Sequence, residues 1–234
     1  MKVAVLGGGS WATAIAKMLL ANVEEIGWYI RNDDKIEQFK SLGRNPNYLT
    51  GINFDVNKIN FSSKINTIVK NADMLFVAIP SPYLKAQLKR LKMRLDSKII
   101  VSAVKGIVPD ENMILSEYFN THYNVPMDQI AVLSGPCHAE EVALERLSYL
   151  TIACLDEEKA RFMAEAMKRH YVKTKISDDV VGIEYAAMLK NIYALAAGIA
   201  HGLGYGDNFQ SVLMSNAIRE MRRYIKHIYK IKRN

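Results

Sequence analysis

The chain has 234 residues, half of them hydrophobic, and a formal net charge of +7, enough material for one large domain or two modest ones around a sizeable core. The positive charge is local: Arg219, Arg222, Arg223, Lys226, Lys230, Lys232 and Arg233 face only Glu220 at the end of the chain, which reads as a solvated helix end and not as a nucleic-acid surface, because no aromatic platform or groove-reading motif accompanies it. Two cysteines without metal-ligand spacing, Cys137 and Cys154, argue against a disulfide framework and a metal site. No apolar run approaches eighteen residues without a charge or a break, and a strand-like segment begins too early to leave room for a signal peptide, so a soluble protein of the reducing cytoplasm is expected.

Residues 3–6, VAVL, form a short apolar strand; Gly7, Gly8 and Gly9 break it; Trp11, Ile15, Met18 and Leu19 then recur at helical spacing. A strand that feeds a helix through glycines makes a phosphate site. Gly7 allows the tight turn, Gly9 lets the backbone approach a pyrophosphate, Ala12 stands where a third small residue permits close helix–strand packing, and the N–H groups at the helix start face the negative charge. Two other readings are an ordinary loop and a nucleophile elbow on Gly8, Ser10 and Ala12, which would need an acid and a histidine on downstream loops.

Alternation continues along the chain. Strands are predicted over 26–30, 59–61, 74–79, 98–103, 130–133, 149–153 and 172–176, with helices over 33–41, 65–70, 83–90, 113–119 and 157–170, the signature of an α/β fold with a mainly parallel Rossmann-type sheet wrapped by helices. From residue 180 the pattern becomes helical only, with a glycine-rich turn, HGLGYGDN. The predicted domains are therefore 1–177, which binds a dinucleotide, and 178–234, the first helices of an all-α substrate domain.

Several residues carry chemistry. Arg31 ends the second strand, where an NAD-specific site would carry an acid for the ribose hydroxyls, so NADPH is permitted and slightly favoured over NADH. Lys105, followed by Gly106, leaves an apolar strand at the carboxyl edge of the sheet, where open α/β folds bind ligands. Ser134-Gly135-Pro136 forms a tight turn at the same edge, ahead of a helix beginning around His138. Cys137 reads as a buried thiol. Lys190 lies on a helix that is apolar nearly all round, with Ala186, Ala187, Tyr193 and Ala194 three and four residues away. A lysine buried there without a carboxylate gives up its proton readily and suits acid–base work near neutrality.

GGGSWATAIA, the Pro80-Ser81 pair, SAVKG, SGPCHAEEVA and EYAAMLKNIYALAAGIAHGLGYGDN together resemble the bacterial-type NAD(P)-dependent glycerol-3-phosphate dehydrogenases over essentially the whole chain. The resemblance implies reduction of dihydroxyacetone phosphate to sn-glycerol 3-phosphate by NADH or NADPH for phospholipid synthesis, in a cytoplasmic homodimer. It makes Lys190 the general acid/base and a substrate contact beside Asn191, and gives Lys105 a catalytic role with contacts to cofactor and substrate. Ser10, Trp11, Arg31 and Ala139 become cofactor contacts together with Gly7 and Gly9; Gly135, Cys137 and Asn191 become substrate contacts. Cys137 stands where the family usually has a hydroxyl residue, and Ala12 where it usually has glycine. The family's helical domain continues to an aspartate and an Arg-Asn pair for the substrate phosphate, and this chain stops at Asn234 before them. Two alternatives follow: a catalytically incomplete NAD(P)-binding module, and a 3-hydroxyacid or 6-phosphogluconate type dehydrogenase, which GPCHAEEVA and GYGDN disfavour. The truncation also predicts an uncovered apolar stripe on the last helix, Ile218, Met221, Ile225 and Ile228.

Overall fold

The structure, a computed structural model, describes residues 1–232, with side chains through residue 229; the side chains of Lys230, Lys232 and Arg233 lie outside the described residues. The chain divides into two compact units, Met1–Val180 and the residues from Val181 onward.

The strands, in chain order, are β1 (Val3–Leu6), β2 (Ile26–Tyr29), β3 (Ile59–Ser62), β4 (Met74–Val77), β5 (Ile99–Ser102), β6 (Ile107–Val108), β7 (Met113–Ile114), β8 (Ile130–Ser134), β9 (Ser148–Cys154) and β10 (Val172–Ser177). The first unit's helices are α1 (Ser10–Leu19), α2 (Asp33–Leu42), α3 (Ile65–Asn71), α4 (Ser81–Leu88), α5 (Leu115–Tyr123), α6 (Ala139–Ala143) and α7 (Glu157–Ala166). Eight strands form one sheet in the order β10-β9-β8-β5-β4-β1-β2-β3, while β6 and β7 make a separate hairpin. β1, β4 and β5 are buried at all four positions, which is why VAVL, MLFV and the IIV that opens β5 run apolar without alternation: both faces are covered. On one face Trp28 packs on Phe39, Phe54 and Phe61 at 5.2, 5.7 and 5.8 Å between ring centroids. On the other, Ile65, Ile68, Val69, Leu84 and Leu88 close over Leu75 and Val77.

Strand order reverses at β1, which pairs with β2 on one side and β4 on the other. This is the point where open α/β sheets hold ligands beyond their carboxyl ends. The α/β Rossmann-type reading therefore describes the first unit, with local departures. β8 and β9 pair antiparallel, from Ala131↔Cys154 to Ser134↔Thr151; only α6 lies between them, too short a crossover to return the chain to the other end of the sheet. Residues 113–114, expected to open a helix, pair instead with β6, and the helix is Leu115–Tyr123. The helix expected over 157–170 ends at Ala166, because the chain turns through an Arg169–Val172 bridge into β10.

The second unit contains α8 (Val180–Gly202, whose first residue closes the first unit) and α9 (Asp207–Lys232). The Tyr185 and Tyr224 rings meet edge-on at 5.7 Å, and Gln210 Nε2 donates to the Ala197 carbonyl at 3.1 Å. The expectation that α8 is buried all round is corrected. Glu184, Tyr185, Ala187 and Leu189 are buried, but Ile192, Leu195 and Ile199 are 58, 66 and 56% exposed, because α9 covers only one side of the helix. The uncovered stripe is only partly the expected one: Ile218 is exposed as expected, Met221, Ile225 and Ile228 are half-buried, and Leu203, Val212 and Met214 are exposed as well. By length and composition α8 could cross a membrane, yet it carries Lys190 near its middle, where a lysine costs about 2.5–3.5 kcal/mol on insertion.

Candidate functional site

The glycine turn lies at the carboxyl end of β1. Gly7 has φ +131°, and a Cβ there would stand 2.7 Å from the Ala78 carbonyl oxygen, so the packing of β1 on β4 itself requires glycine. Gly9 differs: a Cβ on it would meet nothing within 4 Å. No contact among the described residues requires glycine at this position, and the backbone there is open to an approaching group.

The three glycine carbonyls are each held by the protein. Trp28 Nε1 donates to Gly7 O at 2.7 Å, Asn45 Nδ2 to Gly8 O at 3.2 Å, and Thr13 Oγ1 and N–H to Gly9 O at 2.9 and 3.0 Å. In a trans peptide the carbonyl and the following N–H point opposite ways, so the N–H groups of Gly8, Gly9 and Ser10 face away from these anchors. Gly9 caps α1 without a side-chain hydrogen bond, which leaves the first-turn donors open to an anion.

Beside the turn, a cavity of about 320 Å³ is lined by Trp11, Ala78, Ile79, Pro80, Ser81, Pro82, Ala103, Val104 and Lys105. Lys105 Nζ lies 5.7 Å from the Trp11 ring centroid, close enough for a cation–π contact that holds the ammonium over the turn. Gly106 has φ +158° and turns the chain away from the cavity after Lys105. A larger cavity, about 780 Å³, opens at the amino-terminal edge around Lys2, Glu24, Glu25, Asn60 and Asn71; none of the expected site residues lines it.

The other expected residues of the first unit sit at the same carboxyl edge. Arg31 is exposed just beyond β2. Gly135 follows β8 with φ +127°, and a Cβ there would overlap the Tyr149 carbonyl, so β8–β9 pairing requires glycine. His138 caps α6 and Ala139 opens it. Lys17 of α1 reaches the other end of α6, donating to the Ala143 carbonyl at 3.1 Å and pairing with Glu145 at 3.0 Å; the ammonium holds the Glu145 carboxyl below its usual range. Cys137 is buried in the core. Burial pushes its thiol up, against the opposing pull of a Ser148 hydrogen bond and of Lys105. The thiol packs in the core of the first unit, in the turn that follows β8.

Residues 2–160 match the family model described as the N-terminus of NAD-dependent glycerol-3-phosphate dehydrogenase, and residues 179–233 match that of its C-terminus. The chain belongs to the NAD-dependent glycerol-3-phosphate dehydrogenase family. It is 35% identical over 224 residues to the glycerol-3-phosphate dehydrogenase (NAD(P)+) of Oceanobacillus iheyensis, covering 95% of this chain and 64% of that protein. Among solved structures, that of the Plasmodium falciparum glycerol-3-phosphate dehydrogenase superposes with a TM-score of 0.88 at 27% identity, covering 98% of this chain and 67% of that one. The Coxiella burnetii enzyme gives 0.85 at 25% identity, covering 97% and 69%. The chain thus spans about two thirds of the length of its relatives.

In this glycerol-3-phosphate dehydrogenase family member, the first unit brings Gly7, Gly9, Ser10, Trp11 and Lys105 together around one turn and one cavity, with Arg31, Gly135 and Ala139 at the same sheet edge. Lys190 and Asn191 belong to the second unit, Lys190 half-buried and Asn191 exposed on α8. Thr13, Trp28 and Asn45 escaped the sequence reading. An asparagine in a polar NPNYLTG loop looks like any turn residue, and nothing local marks its reach to Gly8.

Proposed function

We propose that this chain carries the dinucleotide-binding part, and the lysine-bearing start of the helical part, of an NAD(P)H-dependent reductase that converts dihydroxyacetone phosphate to sn-glycerol 3-phosphate for glycerophospholipid synthesis. The observation that carries this reading is the glycine turn at the sheet switch point, its carbonyls anchored inward and Lys105 beside it. The site fits a dinucleotide because the α1 donors are open and Gly9 leaves room. When bound, the nicotinamide supplies a hydride to the carbonyl carbon. Lys190 as its ammonium donates a proton to the carbonyl oxygen as negative charge develops there, and Lys105 draws the anionic substrate to the sheet edge. Asn191, Gly135 and Cys137 complete the substrate contacts. We read the protein as cytoplasmic, with α8 a helix of the folded domain and no nucleic acid among its partners.

Arg31 favours NADPH, since its guanidinium pairs with a 2′-phosphate that an acid would repel. NADPH is expected to bind at least as tightly as NADH, followed by quenching of tryptophan fluorescence, and Arg31→Ala to weaken NADPH more than NADH. A clear wild-type preference for NADH would return Arg31 to the solvated surface.

The uncovered residues Ile192, Leu195, Ile199, Leu203, Val212, Met214 and Ile218 favour a second reading for the 234-residue chain itself: a cofactor-binding module that self-associates, through these faces, into a homodimer or larger assembly and turns over little substrate. Light scattering after size exclusion is expected to show a species larger than a monomer, with weak oxidation of NADPH on addition of dihydroxyacetone phosphate. A monodisperse monomer with brisk turnover would overturn this second reading and leave the first standing.

A further inference from the structure

We infer that Asn45 is the positioning residue that sets the glycine turn for pyrophosphate binding; the inference rests on the dinucleotide reading above. Asn45 lies outside β1 and α1, in the loop after α2, and is only 3% exposed. Its side chain is used at both ends. Nδ2 donates to Gly8 O at 3.2 Å and to Thr13 Oγ1 at 2.8 Å, while Oδ1 accepts from the N–H groups of Asn47 and Tyr48 at 3.0 and 3.2 Å. Thr13 Oγ1, which receives the Asn45 donor, passes its own proton to Gly9 O at 2.9 Å. The buried amide therefore has all its groups satisfied and joins three backbone segments in one network.

The need for such a brace follows from the glycines. A glycine peptide rotates between conformations with little steric cost, and among these three carbonyls only that of Gly9 is held by a backbone N–H, from Thr13, so the Gly8–Gly9 peptide takes its orientation from a side chain. Gly8 has no Cβ, and the Gly8–Gly9 peptide is the one whose carbonyl Asn45 holds; its N–H is that of Gly9, directed oppositely. Holding Gly8 O inward sets the Gly9 N–H outward before any ligand arrives, and the Thr13 relay does the same for Ser10 through Gly9 O. Trp28 performs this task for Gly7 from β2. Of these braces, Asn45 alone comes from the loop after α2, so that loop is coupled to the phosphate site by one side chain.

The test compares wild type with Asn45→Asp and Thr13→Val by titration with NADPH, ADP-ribose and 2′-AMP. Asn45→Asp keeps an oxygen for the Asn47 and Tyr48 amides but cannot donate to Gly8 O. It is expected to weaken NADPH and ADP-ribose at least tenfold while 2′-AMP, which lacks the pyrophosphate, changes less than twofold. Thr13→Val, nearly the same shape, is expected to weaken the pyrophosphate ligands by about threefold or more, and the two changes combined to lose less than the product of their separate effects, as members of one network do. Unchanged NADPH affinity in both variants would overturn the inference, and so would an equal loss for 2′-AMP, which would mark Asn45 as a purely structural residue. If Asn45→Asp fails to fold, Thr13→Val decides by the same ligand comparison. Wild type that binds none of the three ligands would instead overturn the dinucleotide reading itself.

Discussion

Gly7→Ala and Gly9→Ala, two changes of one methyl group two residues apart, are expected to fail in opposite ways. Gly7→Ala places a Cβ against the Ala78 carbonyl at a φ of +131°, a region where residues other than glycine are strained by about 1–3 kcal/mol before the clash is counted. With the backbone contact added, a loss of about 2–5 kcal/mol is expected, lowering the melting temperature by about 5–15 °C for a chain of this size. Gly9 has φ −85° as the cap of α1, a conformation open to alanine, and its Cβ would meet no protein atom. Gly9→Ala is therefore expected to melt within a few degrees of wild type but to bind NADPH about ten- to a hundredfold more weakly, because the added methyl group occupies the space of the pyrophosphate. Melting by circular dichroism and binding by titration separate the two. A Gly9→Ala variant with wild-type affinity would mean that no ligand approaches the backbone at this turn.

Lys190→Ala is expected to lower turnover of dihydroxyacetone phosphate by about 10²–10⁴-fold, the range for removing a general acid, while leaving NADPH affinity nearly unchanged. The measurement is made in a form of the chain continued to the length of its relatives. Lys190→Arg sharpens the test. Arginine keeps the positive charge but holds its proton too tightly to donate it, so it should not restore turnover if proton transfer is the role, and should restore much of it if only charge is required. Near-normal turnover in Lys190→Ala would remove Lys190 from the chemistry.

By itself the amino-acid sequence determined the features that depend on neighbours in the chain. The change of apolar period from strand to helix, the three glycines between β1 and α1, and the lysines at the end of β5 and on α8 are local patterns, and the order of five motifs along the chain placed it in its family. Those patterns are legible because backbone conformation and the face a residue presents are set within a few positions. Only the tertiary structure decided what depends on residues far apart. Asn45 reaches Gly8 across 37 positions, and Lys105 finds Trp11 because β1 and β5 flank the same strand, β4. Cys137 enters the core because the β8–β9 pairing folds its loop inward, and α8 is half uncovered because α9 packs along only one side. In each case the controlling quantity is which surfaces meet, and a buried hydrogen bond or an apolar contact carries no trace in the residues on either side of it.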